Sequence, residues 1–174
     1  MAFAIFRRNL NHTMFEQSVL LVIPPLTQLN TPYPSTAYLT GFLRLQGYRA
    51  HQADVGIEMV LALFSRGGLN RVFTELRRNP IDELPGEARQ MLSLERAYIE
   101  TIDAVIRFLQ GQEPTLASRI CQGSFLPEGP RFSAKNADGQ NWVNRVKNQT
   151  DQAKHLATLF LEDLADLVQA TLVP

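Results

Sequence analysis

The residues best suited to bind a ligand follow the first apolar run of the chain. Residues 24–34, PPLTQLNTPYP, supply neutral hydroxyl and amide groups for hydrogen bonding. They precede an expected helix, whose free backbone N–H groups attract anions. The four prolines of this loop also make it stiff, so the alternative is a structural connection. The candidate cofactor- or substrate-binding residues are Pro24, Pro25, Leu26, Thr27, Gln28, Asn30, Tyr33 and Asp54.

Asp54 lies at the end of the second expected strand. An acidic side chain there can bind a ribose hydroxyl or cap a helix that begins near Gly56. The loop lacks the Gly-x-Gly-x-x-Gly of dinucleotide binders and the Gly-Lys-Ser/Thr of phosphate loops. His12, His51 and His155 lack metal-ligand spacing, and no Ser–His–Asp arrangement can be argued from spacing. We therefore predict no catalytic residue and no metal ligand in this chain.

Composition narrows the class of protein. Seventeen basic and seventeen acidic residues cancel, so no global field attracts nucleic acid or an anionic membrane. The single Cys121 excludes an internal disulfide and a multi-cysteine metal site, and we expect this thiol to be inert in a reducing cytoplasm. No apolar run approaches the ~20 residues that span a bilayer. We expect a cytoplasmic protein that contacts neither nucleic acid nor membrane.

The elements that position the loop form one β-α-β unit after an irregular arm at 1–17. Val and Ile enrichment predicts a strand at Ser18–Ile23, apolar on both faces and therefore typical of a central parallel strand. A helix follows from Pro34 or Ser35 to about Gln46, with a C-cap at Gly47. The second strand is expected at Tyr48–Val55. The apolar side of the helix consists of Tyr38, Leu39, Phe42, Leu43 and Leu45.

After this unit the pattern is helical. We predict short helices at 57–64, 69–76 and 114–121, with Gly67-Gly68 breaking the first from the second. A single long helix is expected at 87–110, a long loop at 122–147 and a last helix at 150–172. The polar side of that last helix, expected to be solvated, includes Glu162, Asp163 and Asp166.

The predicted fold class is therefore a helix-rich α/β protein, with a small parallel β-α-β unit (an incomplete Rossmann-like sheet) followed by a mostly helical region. The expected domains are 1–56 and 57–174. A two-stranded sheet leaves exposed edges, so self-association through those edges is also expected.

Several stretches resemble the N-terminal cobalamin-binding-like region of radical SAM proteins. They are VLLVIPP at 19–25, YLTGFL at 38–43, QGYR at 46–49 and Ala53-Asp54. FLPEGPRF at 125–132 and HLATLFLEDL at 155–164 look like a helical insertion found in one branch of that family. The family usually has Asn where this chain has Ile23, and its Cys-x-x-x-Cys-x-x-Cys and the cobalamin motif Asp-x-His-x-x-Gly are absent.

The resemblance implies a fragment of a radical SAM enzyme, itself non-catalytic, that forms part of a cofactor or substrate cleft. Its partner would be the remainder of its own polypeptide, the radical SAM barrel. The parent protein would hold a four-iron four-sulfur cluster and S-adenosylmethionine, and cobalamin is a further candidate. Two alternatives remain open: a stand-alone helical binding or interaction module without enzymatic activity, and a small α/β enzyme that binds a nucleotide at the proline-rich loop.

Overall fold

The computed structural model describes residues 18–27, 29, 33–132 and 148–172. It confirms the predicted fold class, because most of the described elements are helices and the strands form one small parallel sheet. The chain divides into two compact units, 1–62 and 63–174, here called the βαβ unit and the helical unit. The predicted arm at 1–17 and residues 133–147 of the predicted loop lie outside the described residues, as does His12.

The βαβ unit contains strand β1 (Ser18–Ile23), helix α1 (Pro34–Leu45), strand β2 (Arg49–Asp54) and helix α2 (Val55–Leu63). The strands are parallel and in register from Ser18 opposite Arg49 to Ile23 opposite Asp54. Both strands therefore end at one level, the carboxyl edge of the sheet.

The end of α1 follows the glycine signal in the sequence. Gly47 has φ of 85°, a conformation that costs a residue without a Cβ little. The Gly47 N–H donates to the Arg44 carbonyl at 3.1 Å and the Tyr48 N–H to the Leu43 carbonyl at 3.0 Å. This is the Schellman arrangement, and it turns the chain directly into β2. The prediction that Gly47 ends the helix is confirmed, and Gly47 directly follows the C-cap residue Gln46.

The apolar side of α1 does not lie inside the unit. The buried side chains of the helix are Thr36 and Thr40, whereas Tyr38 is 78%, Phe42 58% and Leu45 86% exposed. The sequence offered no clear solvent side, because Arg44 is the helix's one charged residue and its guanidinium donates to the Ala50 carbonyl at 2.8 Å.

The prediction of β1 as a central strand is also wrong for the described part of the chain. The sheet has two strands there, so β1 pairs with β2 alone. Leu21 is buried, but Leu20, which points to the opposite face, is half exposed. Apolar residues on both faces of a strand therefore do not ensure that both faces are covered.

The described residues of the helical unit include five helices and a 3₁₀ turn at Ile81–Glu83. The helices are α3 (Arg66–Leu76), α4 (Gly86–Ser93), α5 (Glu95–Leu109), α6 (Leu116–Cys121) and α7 (Gln149–Leu172). Helix α7 contacts all four of the others, and its buried Phe160 ring stacks on Tyr98 of α5 at 4.8 Å.

Two predicted helix boundaries are wrong. Residues 87–110 form two helices rather than one, because Leu94 leaves the helical conformation (ψ 2°) and lets α4 and α5 each contact α7. The break before α3 falls at Ser65 and not at Gly67-Gly68. The Ser65 hydroxyl accepts a hydrogen bond from the Gly68 N–H at 3.0 Å, so both glycines lie within the capped first turn. Within the described residues, no helix is long and apolar enough to cross a membrane.

Candidate functional site

The carboxyl edge of the sheet brings two of the predicted binding residues together around a glycine. A Cβ placed on Gly56 would lie 3.3 Å from Thr27 Oγ1 and 3.3 Å from Asp54 Oδ1. Leu29, which the sequence prediction omitted, lies 3.6 Å from the same point. The absence of a side chain at Gly56 therefore lets the loop after β1 approach the end of β2.

The loop after β1 contains a strained residue. Leu26 has φ of 65°, the left-handed region that costs a residue with a Cβ about 1–2 kcal/mol. Its side chain is 88% exposed, so burial does not offset that cost. The turn is held from within by the Thr27 hydroxyl, which donates to the Pro24 carbonyl at 3.2 Å. Strained, exposed residues cluster at ligand-binding sites more than in plain connections.

Asp54 caps helix α2. Its Oδ1 accepts a hydrogen bond from the Ile57 N–H at 3.0 Å, which confirms the capping interpretation of this residue. Its second oxygen, Oδ2, accepts no hydrogen bond from the described residues. That oxygen is therefore available to a hydroxyl or amine of a ligand, while the first continues to cap the helix.

The start of α1 supplies further polar groups. Pro34 occupies its first turn, where a missing N–H costs nothing. Tyr33 precedes it and makes no side-chain cap, while the Thr36 hydroxyl donates to the Tyr33 carbonyl at 3.4 Å. The first backbone N–H groups of α1 thus have no capping side chain among the described residues.

The structure assembles part of the predicted site. Thr27 and Asp54 converge, and Pro24, Pro25 and Leu26 form the turn that presents Thr27. Tyr33 lies at the start of α1, and no described contact joins it to Thr27 or Asp54. Gln28 and Asn30 lie outside the described residues.

Two substitutions separate the cap of Asp54 from its charge. Asp54→Ala is expected to destabilise α2 by about 1 kcal/mol, because the Ile57 N–H loses its acceptor. Asp54→Asn is expected to leave α2 intact, since asparagine caps as well as aspartate. Amide hydrogen exchange over residues 55–63 measures both. Equal protection in wild type and the alanine variant would contradict the cap.

A second polar cluster lies in the helical unit, and sequence reasoning missed it. Asp163 was predicted to be solvated, but it is only 2% exposed. Its Oδ2 accepts a hydrogen bond from the Tyr98 hydroxyl at 2.9 Å, and its Oδ1 accepts one from the Arg131 N–H at 2.9 Å. The carboxylate therefore fixes the backbone at 129–131 to α5 and α7.

Burial perturbs both members of this pair. Loss of hydration raises the pKa of Asp163 above its ordinary range, although the hydrogen bonds from Arg131 and Tyr98 act in the opposite direction. The pKa of Tyr98 is also raised, first by burial and then by the negative charge of Asp163. The phenol is therefore a permanent hydrogen-bond donor to the carboxylate.

The surroundings of Asp163 identify it as a structural group. A Cβ on Gly129 would overlap Asp163 Oδ2 and the Tyr98 hydroxyl, so no side chain fits there. On the outer side, Arg131 forms ion pairs with Asp166 at 2.7 Å and with Glu162 at 3.7 Å. The adjoining cavity of about 30 Å³ has room for one water molecule, too small for an organic substrate.

A shallow depression of about 540 Å³ lies over α3 and α5. Its charged residues are already paired: Arg66 with Asp103, Arg96 with Glu100 and Glu95 with Arg77. Exposed pairs of this kind contribute little to stability and leave no charge directed at a ligand. The carboxyl edge of the sheet remains the stronger candidate site.

The cofactors implied by the resemblance can be tested against the residues present. An iron–sulfur cluster is held by several thiolates, and the chain has one cysteine. Within the described ranges no three His, Cys, Asp or Glu side chains form a group that could hold a metal ion. The described residues therefore do not fit a cluster.

The chain was compared with family models, curated proteins and solved structures. No family model, no curated protein and no solved structure matches the chain. The class supported by the fold is a helix-rich α/β protein with a two-stranded parallel sheet, whose candidate site lies at the carboxyl edge of that sheet.

Proposed function

We propose that this chain forms one wall of a cofactor or substrate cleft in a radical SAM enzyme and is not itself catalytic. The observation that supports this most is the convergence of Thr27 and Asp54 around Gly56. In open α/β sheets, ligands bind outside the carboxyl ends of the strands, which is where these residues lie.

The chemistry of the edge fits recognition rather than catalysis. Thr27 offers a neutral hydroxyl, Asp54 Oδ2 a carboxylate oxygen, and the start of α1 a set of backbone N–H groups. Such a set can orient a ligand that combines hydroxyl and anionic groups. It contains no paired acid and base and no activated nucleophile.

The cluster and S-adenosylmethionine are proposed to lie in another part of the enzyme, where their chemistry is reductive radical generation. Within this chain the described residues bind, orient and shield. Cobalamin remains a candidate ligand of the cleft, without the Asp-x-His-x-x-Gly that would ligate its metal. A single cysteine, Cys121, is compatible with the reducing cytoplasm proposed for such an enzyme.

The decisive experiment is to determine the natural reading frame that contains these codons and to purify its full product without oxygen. A frame that encodes Cys-x-x-x-Cys-x-x-Cys, with iron and sulfide in the purified protein, supports the proposal. If the full-length protein lacks that motif and contains no iron, the proposal is overturned.

The edge itself is tested in that full product. Thr27→Val and Asp54→Asn are expected to weaken binding of the ligand found there by roughly tenfold each, the cost of about one polar contact. Glu58→Gln is the matched control, because Glu58 is an exposed acid in the first turn of the same helix. Unchanged binding in both edge variants would remove the edge from the site.

The second candidate function is a binding module without chemistry. It is favoured by the large apolar side chains that are exposed in the described part of the chain, which lie at residues 20–61. Single exposed apolar residues are normal, but several within one small unit mark an interaction surface. A full-length protein that lacks the cysteine motif and purifies with a stoichiometric partner protein would favour this function over the cleft.

A further inference from the structure

The outer surface of α1 is unusually apolar for a helix that contacts the sheet on one side. Its exposed side chains include Tyr38 at 78%, Phe42 at 58% and Leu45 at 86%. These residues are spaced i, i+4, i+7, so they lie on one stripe along two turns of the helix. Leu39 borders the stripe and is 44% exposed. The outer α1 face is defined here as Tyr38, Leu39, Phe42 and Leu45.

The opposite side of the helix is the more polar one. Thr36 and Thr40 are 3% and 4% exposed, and the Thr40 hydroxyl has no hydrogen-bond partner among the described residues. A helix with small residues against its own sheet and aromatic residues outward is typical of an element buried on both sides. The outer α1 face therefore fits a second protein surface.

The absence of charged residues on the outer α1 face limits which surfaces can pack against it. Helix α1 contains no acidic residue, and its one basic residue, Arg44, donates its Nε–H to the Ala50 carbonyl at 2.8 Å. None of the four residues of the outer α1 face is charged, so two copies of the face can meet without like-charge repulsion. A partner selected by charge would find no complementary group on this stripe. The stripe therefore meets no charge barrier to a twofold contact, in which the same patch on both copies is self-complementary.

The available area agrees with a weak dimer. With about 150–250 Å² for an aromatic side chain, and leucine taken at the lower end of that range, the exposed fractions above give the four residues at most roughly 500 Å² per copy. Two copies would bury about 1,000 Å², the lower limit for a specific interface. Gly41, exposed and with open space around its Cβ position, lets two helices approach closely.

From this face we infer that the chain forms a twofold dimer in which the outer α1 faces of two copies pack antiparallel. Phe42 lies midway along the stripe and would sit near the twofold axis, with Tyr38 of one copy near Leu45 of the second copy. This inference is independent of the proposed enzymatic context, because it rests on α1 and not on the carboxyl edge.

Sedimentation of the 174-residue chain over a range of concentrations tests the dimer. We expect a monomer–dimer equilibrium with a micromolar dissociation constant. Phe42→Glu should weaken it by roughly a hundredfold, because two buried carboxylates would meet near the axis. Ile57→Glu is the matched control, since Ile57 is 46% exposed on another helix. Far-ultraviolet circular dichroism verifies that both variants are folded.

A crosslink provides a second readout. In a Cys121→Ser background, Gly41→Cys is expected to form a covalent dimer on oxidation, and Gln46→Cys much less. A chain that stays monomeric at all concentrations would overturn the inference. So would a dimer that survives Phe42→Glu, which would place the contact elsewhere, for example at the sheet edges.

Discussion

Replacement of Gly129 by alanine is expected to lower the free energy of unfolding of the helical unit by about 3 kcal/mol. The new Cβ would overlap Asp163 Oδ2 and the Tyr98 hydroxyl, both of which are buried and hydrogen-bonded to each other. Relief requires moving the backbone at 129–131 or breaking the hydrogen bond, and overpacking and a lost buried bond each cost about 1–3 kcal/mol. Urea denaturation followed by circular dichroism measures the change.

Gly86→Ala is the matched control for this substitution. Gly86 is the first residue of α4, and a Cβ there has open space. Alanine at that position should be neutral or stabilise the unit by about 0.5–1 kcal/mol, since it restricts the unfolded chain. If Gly129→Ala were as well tolerated as Gly86→Ala, the close approach of 129 to Asp163 and Tyr98 would be refuted.

The part of the fold predictable from sequence is the part determined by local chemistry. β1 occupies its predicted residues, 18–23, because a short Val- and Ile-rich run that proline ends is too short for a typical helix and favours a strand. The end of α1 follows Gly47 for the same reason. Asp54 likewise caps α2 through a hydrogen bond to a residue three positions away.

The errors concern features that depend on distant residues. Leu94 interrupts a continuous helical pattern with no local breaker, because α4 and α5 both pack on α7. The orientation of α1 was undetermined, since a helix with one charge does not designate a solvent side. In each case tertiary packing overrode a pattern that was locally consistent.

Asp163 shows how the missed cluster could have been found. It lies three residues after Phe160 and four before Leu167, which are both buried, so helical spacing alone places it on the buried side of α7. An aspartate side chain is usually exposed to solvent, but the position of Asp163 in the helix indicated that its side chain lies in the core. An acidic residue at a core position of a helix indicates a buried partner, which here is Tyr98.

The candidate site follows the same division. Its location at the carboxyl edge came from strand order alone, a general rule of parallel sheets. The approach of Thr27 and Asp54 to the position that a Cβ of Gly56 would occupy depends on the path of the loop after β1, which no local pattern specifies. The left-handed Leu26 was equally unpredictable, because leucine rarely adopts that conformation.

Asp163→Ala is expected to destabilise the helical unit by about 2–3 kcal/mol at neutral pH. The Tyr98 hydroxyl and the Arg131 N–H would both lose their acceptor in a buried setting. Asp163→Asn should cost less, because an amide oxygen can still accept one of these bonds. Both variants lack the titration of Asp163, which makes their comparison with wild type informative across pH.

The pH dependence has a defined sign. Because burial raises the pKa of Asp163 in the folded state, the folded chain binds a proton more readily than the unfolded one, whose aspartate has a pKa of about 3.9. The stability linked to this proton is fully present below that value and is lost as pH rises through the folded-state pKa. The advantage of wild type over Asp163→Asn should therefore grow on acidification, and denaturation at a series of pH values measures it.

Tyr98→Phe provides the decisive comparison for this linkage. The hydrogen bond from Tyr98 lowers the pKa of Asp163, so its removal should raise that pKa further. The stability linked to the proton on Asp163 should then persist to higher pH than in wild type. The nearby charges of Asp166 and Arg131 act in opposite directions and are retained in every variant. A wild-type advantage over Asp163→Asn that shrinks on acidification would show that the hydrogen bonds outweigh burial, and it would contradict a raised pKa of Asp163.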